Sequence, residues 1–338
     1  MTRLQSTLLA TTLLVLSANA SAASELNLYS SRHYDTDERL YSDFEAATGI
    51  TINRIEGDAD ELIARMQAEG ANSPADILLT VDTSRLERAK QAGVLQAVDS
   101  ATLEERVPAN LRDADNQWFG FSQRARIIFF DKVELPNPPQ TYADLAKPEY
   151  KGKICTRSST STYNQTLLAS IVTHAGEAAA KEWAAGIVAN MARDPQGGDT
   201  DQLRAVVSGE CDIAVSNTYY FARAIRTDVK GLSAGREMIG WIFPDQEGNG
   251  AHVNLSGGGV AANAPNRDNA VKFLEYLTSD QAQQYFSAGN DEYPTVKGVA
   301  LSPAIESLGS FKADEVSLSE VAANLPVAQR IFNEVGWK

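Results

Sequence analysis

The stretch QWFGFSQRARIIFFD, residues 117–131, decides the fold. A strand approaches Gly120, and the RIIFF run after Arg124 is continuously apolar, as in a central strand buried on both faces. A strand of this kind, set mid-chain, is expected to cross from one lobe into a second between Phe121 and Arg126. On its N-terminal side the pattern alternates. ELNLYS (25–30) reads as a strand, and DTDERLYSDFEAATG (35–49) as a helix. Asp35 or Thr36 would cap that helix, Leu40, Phe44 and Ala47 would form its buried stripe, and Gly49 would end it. ITINRI (50–55), DADELIARMQAEG (58–70), ADILLTV (75–81) and SRLERAKQAG (84–93) continue as strand, helix, strand and helix. The run implies an α/β class with mostly parallel strands.

On the C-terminal side, PNPPQTYADL (136–145) leads to a short helix and KICT (153–156) to a strand. A long helix starts near Ser161, and GEAAAKEWAAGIVANM (176–191) forms another. The loop DPQGGDTDQ (194–202) precedes strands CDIAVSN (211–217) and MIGWIFP (238–244). GAHVNLSGGGVAAN (250–263) reads as a strand interrupted by Gly257 to Gly259, and NRDNAVKFLEYLTS (266–279) as a helix that returns the chain to the first lobe. The expected organisation is therefore a two-lobed α/β protein. Residues 24–122 and 247–297 form the first lobe, and 123–246 and 298–338 the second. Interleaved lobes joined by crossing strands are built to close on a ligand like a hinge.

Residues 1–22 read as a secretory signal peptide. Arg3 is the only charge before the apolar stretch Leu8 to Leu16, and small residues follow from Ser17 to Ala22. The apolar part is too short to span a bilayer, and without a cysteine it offers no lipid anchor. Cleavage after Ala20 or Ala22 would release a soluble protein outside the cytoplasm. The formal net charge of −14, from 44 acidic and 30 basic residues, argues against nucleic acid or anionic membrane as a partner. Only Cys155 and Cys211 occur. In an oxidising compartment such a pair usually forms one disulfide, two buried thiols being the alternative. A bond would tie together the segments carrying Tyr163 and Tyr219.

Those tyrosines are the chemical signal. Tyr34 in SRHYDTD, Tyr163 in STSTYNQ and the adjacent Tyr219 and Tyr220 in SNTYYFARAIR each stand where a strand gives way to a helix. In open α/β sheets such turns collect at the ligand cleft. Tyr219 and Tyr220 reach one point only at a strand end turning into a helix. Helix N-termini favour negative charge, which would help lower a phenol from its free value of ~10. Phenolate oxygens are hard anionic donors suited to highly charged cations such as ferric iron. Packing tyrosines with surface hydroxyls are the ordinary alternative. DTD and DTDQ lack the spacing of a calcium loop, no phosphate loop follows the glycine triplet, and His174 and His252 have no partner at ligand spacing. Neither a zinc-protease motif nor CxxC occurs, and an enzyme is not expected.

Taken in order, YSSRHYDTD, PADILLTVD, STYNQ, PQGGDTDQ and NTYYFARAI resemble the periplasmic ferric iron-binding proteins of ABC importers, the FbpA/FutA group. The resemblance covers nearly the whole mature chain. It implies a type II periplasmic binding protein fold with Fe³⁺ held between the lobes. It also implies Tyr34, Tyr163, Tyr219 and Tyr220 as phenolate ligands, Tyr34 from the first lobe and the others from the second. His33 matches a histidine ligand position of the group; here, with Tyr34 beside it, it is a fifth ligand or an outer neighbour. Members with a first-lobe glutamate ligand carry it where this chain has Val81, a departure that favours the tyrosine-rich version. By resemblance Arg124 and Arg223 offset the excess negative charge of four phenolates on Fe³⁺, and Asn217 and Gln165 orient phenolates or an anion. Ser158 to Ser161 would hold a synergistic carbonate or phosphate, or simply cap a helix. The implied function is capture of Fe³⁺ and its delivery, as a monomer, to an inner-membrane ABC permease. An anion or small organic solute-binding protein on the same fold is the alternative, and a secreted hydrolase a remoter one.

Overall fold

The computed structural model describes residues 24–32 and 34–338, so the signal-peptide reading and His33 lie outside the described residues. Nine strands are present among them: β1 (Glu25–Ser30), β2 (Thr51–Glu56), β3 (Ile77–Val81), β4 (Phe119–Asp131), β5 (Ile154–Cys155), β6 (Ile213–Asn217), β7 (Ile239–Ile242), β8 (Val253–Val260) and β9 (Tyr293–Pro294). They line up as β2-β1-β3-β8-β4-β6-β5, with β7 and β9 also paired to β4. The expectation of mostly parallel strands is corrected. β1 pairs in parallel with β2 and β3, and β5 with β6, but β3–β8 and every pairing of β4 are antiparallel. The physical reason is the crossover. Two long strands, β4 and β8, run in opposite directions through the middle of the sheet.

β4 has two sets of partners. Phe119 to Ala125 pair with β8 and β9, whereas Arg126 to Asp131 pair with β6 and β7. The change falls at Arg126, where the apolar run begins, and Ile127, Ile128 and Phe129 are fully buried. The βαβ units at the N-terminus form as the periodicity predicts. The Glu38–Thr48 helix buries Leu40, Tyr41 and Phe44, with Phe44 edge-on to Phe273 at 5.0 Å, and ends at Gly49 with φ 71°. Ala47 is exposed, not part of the stripe, and neither Asp35 nor Thr36 caps this helix, because a 3₁₀ turn, Asp35–Asp37, precedes it.

Gly257 to Gly259 do not interrupt their strand. They lie inside β8, between β3 and β4, where both neighbouring backbones press close. A Cβ at Gly258 would stand 2.7 Å from the Leu78 carbonyl oxygen, and one at Gly257 2.4 Å from that of Phe119. In the second half, the Thr162–Asn190 helix breaks at Gly176 (φ 82°) into the two expected helices. The helices Leu318–Ala323 and Leu325–Val335 pack against it. Among the described residues no helix is long and apolar enough to cross a membrane.

Candidate metal centre

Each of the four tyrosines sits at the junction the sequence indicates. Tyr34 follows β1 and immediately precedes the Asp35–Asp37 turn. Tyr163 lies in the first turn of the Thr162–Asn190 helix, after β5. Tyr219 and Tyr220 open the Thr218–Arg226 helix directly after β6. β5 and β6 are adjacent and parallel, so their C-terminal ends deliver both turns to the same edge. The Cys155–Cys211 disulfide, Cα–Cα 5.9 Å, joins the end of β5 to the residue leading into β6. The phenol oxygens of Tyr163 and Tyr219 are 3.1 Å apart, and the rings of Tyr219 and Tyr220 lie 4.2 Å centroid to centroid. Tyr34 is within electrostatic reach of Tyr163 and Tyr219.

Arginines surround this cluster. Around the Tyr163 ring stand Arg157 at 5.2 Å, Arg124 at 5.7 Å and Arg126 at 5.8 Å, and Arg223 lies 5.9 Å from the Tyr219 ring. Arg32 is 4.9 Å from the Tyr34 ring. Its guanidinium is buried in a bidentate bond to Asp37, 2.9 and 3.0 Å, with Glu292 at 3.5 Å. Glu292, itself buried, accepts a bond from the Ser122 hydroxyl at 2.6 Å and lies 3.7 Å from Arg124. Arg124 donates to the Ser256 hydroxyl at 2.9 Å, and its Nε and Nη2 are buried with no hydrogen-bond partner. Those buried donors are available to an anionic acceptor.

The electrostatics correct one expectation. Helix N-termini do not lower Tyr34, Tyr219 or Tyr220 in the metal-free protein, because burial dominates. It pushes Tyr34 up to about 12, with repulsion from Glu292 adding and Arg32 and Arg124 opposing. Tyr219 is held well above the ordinary value by burial and by Tyr163, Tyr220 and Tyr34, against Arg124. Burial, then Tyr163 and Asp199, raise Tyr220, while a bond from Tyr219 and the charge of Arg157 work the other way. These phenols are neutral at pH 7. Only a strong Lewis acid that displaces the protons would ionise several of them together.

Asn217 hydrogen-bonds Arg126 through Oδ1 at 3.1 Å, and its Nδ2 is buried without a partner. Gln165 donates through Nε2 to the Ser159 carbonyl (3.0 Å) and to Gln329 (2.9 Å), which ties its amide to the loop before Tyr163. Ser161 is the N-cap residue of the Tyr163 helix, without a side-chain cap bond, and the Ser158 and Thr160 hydroxyls bond each other at 2.8 Å. Sequence reasoning passed over Arg32, Arg126, Arg157, Asp199 and Glu292. Their signal was present only as charges inside apolar or loop segments.

A model of bacterial extracellular solute-binding proteins matches residues 72–312. The iron uptake protein A1 of Synechocystis sp. is 50% identical over 315 residues, 93% of this chain and 88% of that one. The chain belongs to the bacterial extracellular solute-binding protein family. Within that family it is also similar to the major ferric iron-binding protein of Neisseria meningitidis serogroup B, 27% identical over 96% of both chains. The structure of Trichodesmium FutA (IdiA) in complex with iron and citrate ligands superposes with a TM-score of 0.91 at 49% identity, covering 93% of this chain and all of that one. The solute-binding protein fold implied by the resemblance is thus the fold found.

Proposed function

We propose that this chain is a periplasmic solute-binding protein that captures Fe³⁺ with tyrosinate ligands and delivers it to an inner-membrane ABC permease. The observation that carries the reading is the phenol cluster itself, with Tyr219 buried and Tyr34, Tyr163 and Tyr220 half-buried. Tyr163 and Tyr219 hold two oxygens 3.1 Å apart, with the Tyr220 ring 4.2 Å from that of Tyr219 and Tyr34 within electrostatic reach. Tyr34, Tyr163, Tyr219 and Tyr220 are the proposed ligands, with His33 as a fifth ligand or outer neighbour. Arg124 and Arg223 offset the phenolate charge, and carbonate, phosphate or a carboxylate completes the shell if one joins. The relatives' names, iron uptake and ferric iron-binding proteins, agree with binding and transport, and no catalytic step is proposed. Hard phenolate donors favour the ferric over the ferrous ion.

The two groups of strand partners along β4 support a hinge in the stretch from Phe121 to Arg126, between a body of residues 24–122 and 247–297 and one of 123–246 and 298–338. Ligands from both bodies would couple metal binding to closure. The unpartnered donors of Arg124 also suit an anion, which keeps the anion-binding reading in contention. Calorimetry on metal-stripped protein separates the two. Heat with ferric citrate and none with phosphate, sulfate or carboxylates alone supports iron capture. Saturable binding of a metal-free anion, with no uptake of iron, would replace it with the anion binder.

A further inference from the structure

The PQGGDTDQ loop and Arg126 have no part in the ligand set, yet the structure joins them beneath it. Arg126 is a charged residue at the point where β4 changes partners, and its side chain is 2% exposed. One nitrogen, Nη1, donates to Asp199 Oδ2 at 3.0 Å and to Asn217 Oδ1 at 3.1 Å. The other, Nη2, donates to Asn164 Oδ1 at 2.8 Å and to the Val215 carbonyl at 3.2 Å. Asn164 is the residue after Tyr163, and Asn217 lies two residues before Tyr219. Asp199, fully buried, also accepts from the backbone N–H of Asn217 at 2.9 Å. A single guanidinium therefore touches both turns that present phenols, and its counter-ion touches one of them again.

A buried ion pair is a weak source of stability, since desolvation offsets much of its attraction. What a planar guanidinium supplies is fixed geometry. Its fork reaches several acceptors in set directions, which a lysine ammonium does not reproduce. The main chain of Arg126 is itself held, its N–H donating to the His252 carbonyl at 3.0 Å and its carbonyl accepting from the Tyr142 hydroxyl at 2.6 Å. Asp199 is delivered by a tight turn in which Gly197 has φ 70° and a Cβ would stand 2.8 Å from Asp201. That turn accounts for Gly197 of PQGGDTDQ, and the pairing with Arg126 for Asp199.

We infer that Arg126 and Asp199 are a positioning pair that sets the spacing between Tyr163 and the Tyr219–Tyr220 turn, and so tunes the iron–phenolate bonds without touching the metal. The inference rests on the ferric reading above. The test compares wild type with Arg126→Lys, each metal-stripped and titrated with ferric citrate. It follows the visible phenolate-to-iron band and the rate of iron loss to a competing chelator. In wild type a band saturates near one iron per chain. In Arg126→Lys the band persists but moves and broadens, and iron is lost roughly 10–100-fold faster, the range typical of outer partners. A variant with lower melting temperature but an unchanged band and release rate overturns the inference, because a structural role alone would do that. No band in wild type overturns the ferric reading, and the inference with it. Should Arg126→Lys not fold, Asp199→Asn, equal in shape, carries the same test: a shifted band supports the pair and an unchanged one refutes it.

Discussion

At the scale of single residues, Tyr34, Tyr219 and Tyr220 are neutral until a cation displaces their protons, and charged side chains surround them. Glu292 stands between Arg32 and Arg124 and offsets part of the positive charge near Tyr34 and Tyr163 before metal arrives. Tyr220 is raised by burial and by its neighbours, so any iron it holds competes with a proton of high affinity. Acid should then release iron by protonating phenolates. Tyr220→Phe removes one donor, and stopped-flow mixing with acid or a reductant should show faster release than in wild type; an equal rate would remove Tyr220 from the ligand set. The tyrosines were legible in the sequence because a residue at a strand-to-helix junction is located by local pattern alone. Glu292 and Arg32 were not, since they are far apart in the chain and meet only through the packing of the Asp280–Asn290 helix.

At the scale of elements, β4 was legible for the reason that a strand buried on both faces has no alternation to hide it. β8 was misjudged because three consecutive glycines ordinarily end a strand. Here they are required inside one, where the carbonyls of Leu78, Phe119 and Gln117 approach within 2.2–2.7 Å of the positions their Cβ atoms would occupy. Gly258→Ala should therefore force β3 and β8 apart and cost ~1–3 kcal/mol, as overpacking does elsewhere. Urea unfolding would report this as a lower midpoint with an unchanged slope, and a wild-type midpoint would show that the sheet relaxes without cost. The tight loop at Gly197 was legible as a loop, but its purpose was not, because the partner of Asp199 is the interior Arg126.

At the scale of the whole molecule, burial of phenols ties stability to pH. Tyr34 and Tyr41 are each pushed up to about 12, whereas the unfolded chain ionises near 10. Below pH 10 both states hold these protons and the full stability is present. Between pH 10 and 12 the unfolded state loses them first, so stability falls with rising pH, by about 2–3 kcal/mol for one such group. Thermal melts of the metal-free protein should show the midpoint falling across that window, while Tyr34→Phe weakens the decline; a flat profile would mean the phenols are solvated. The same cluster, read as a metal centre, carries the central claim of the protein's function. Its most direct test is a visible absorption titration of metal-stripped protein with ferric citrate, run beside the Tyr219→Phe/Tyr220→Phe double variant. The predicted result is a charge-transfer band that saturates near one iron per chain in wild type and fades in the variant. No band in wild type, with the iron left on citrate, would contradict it.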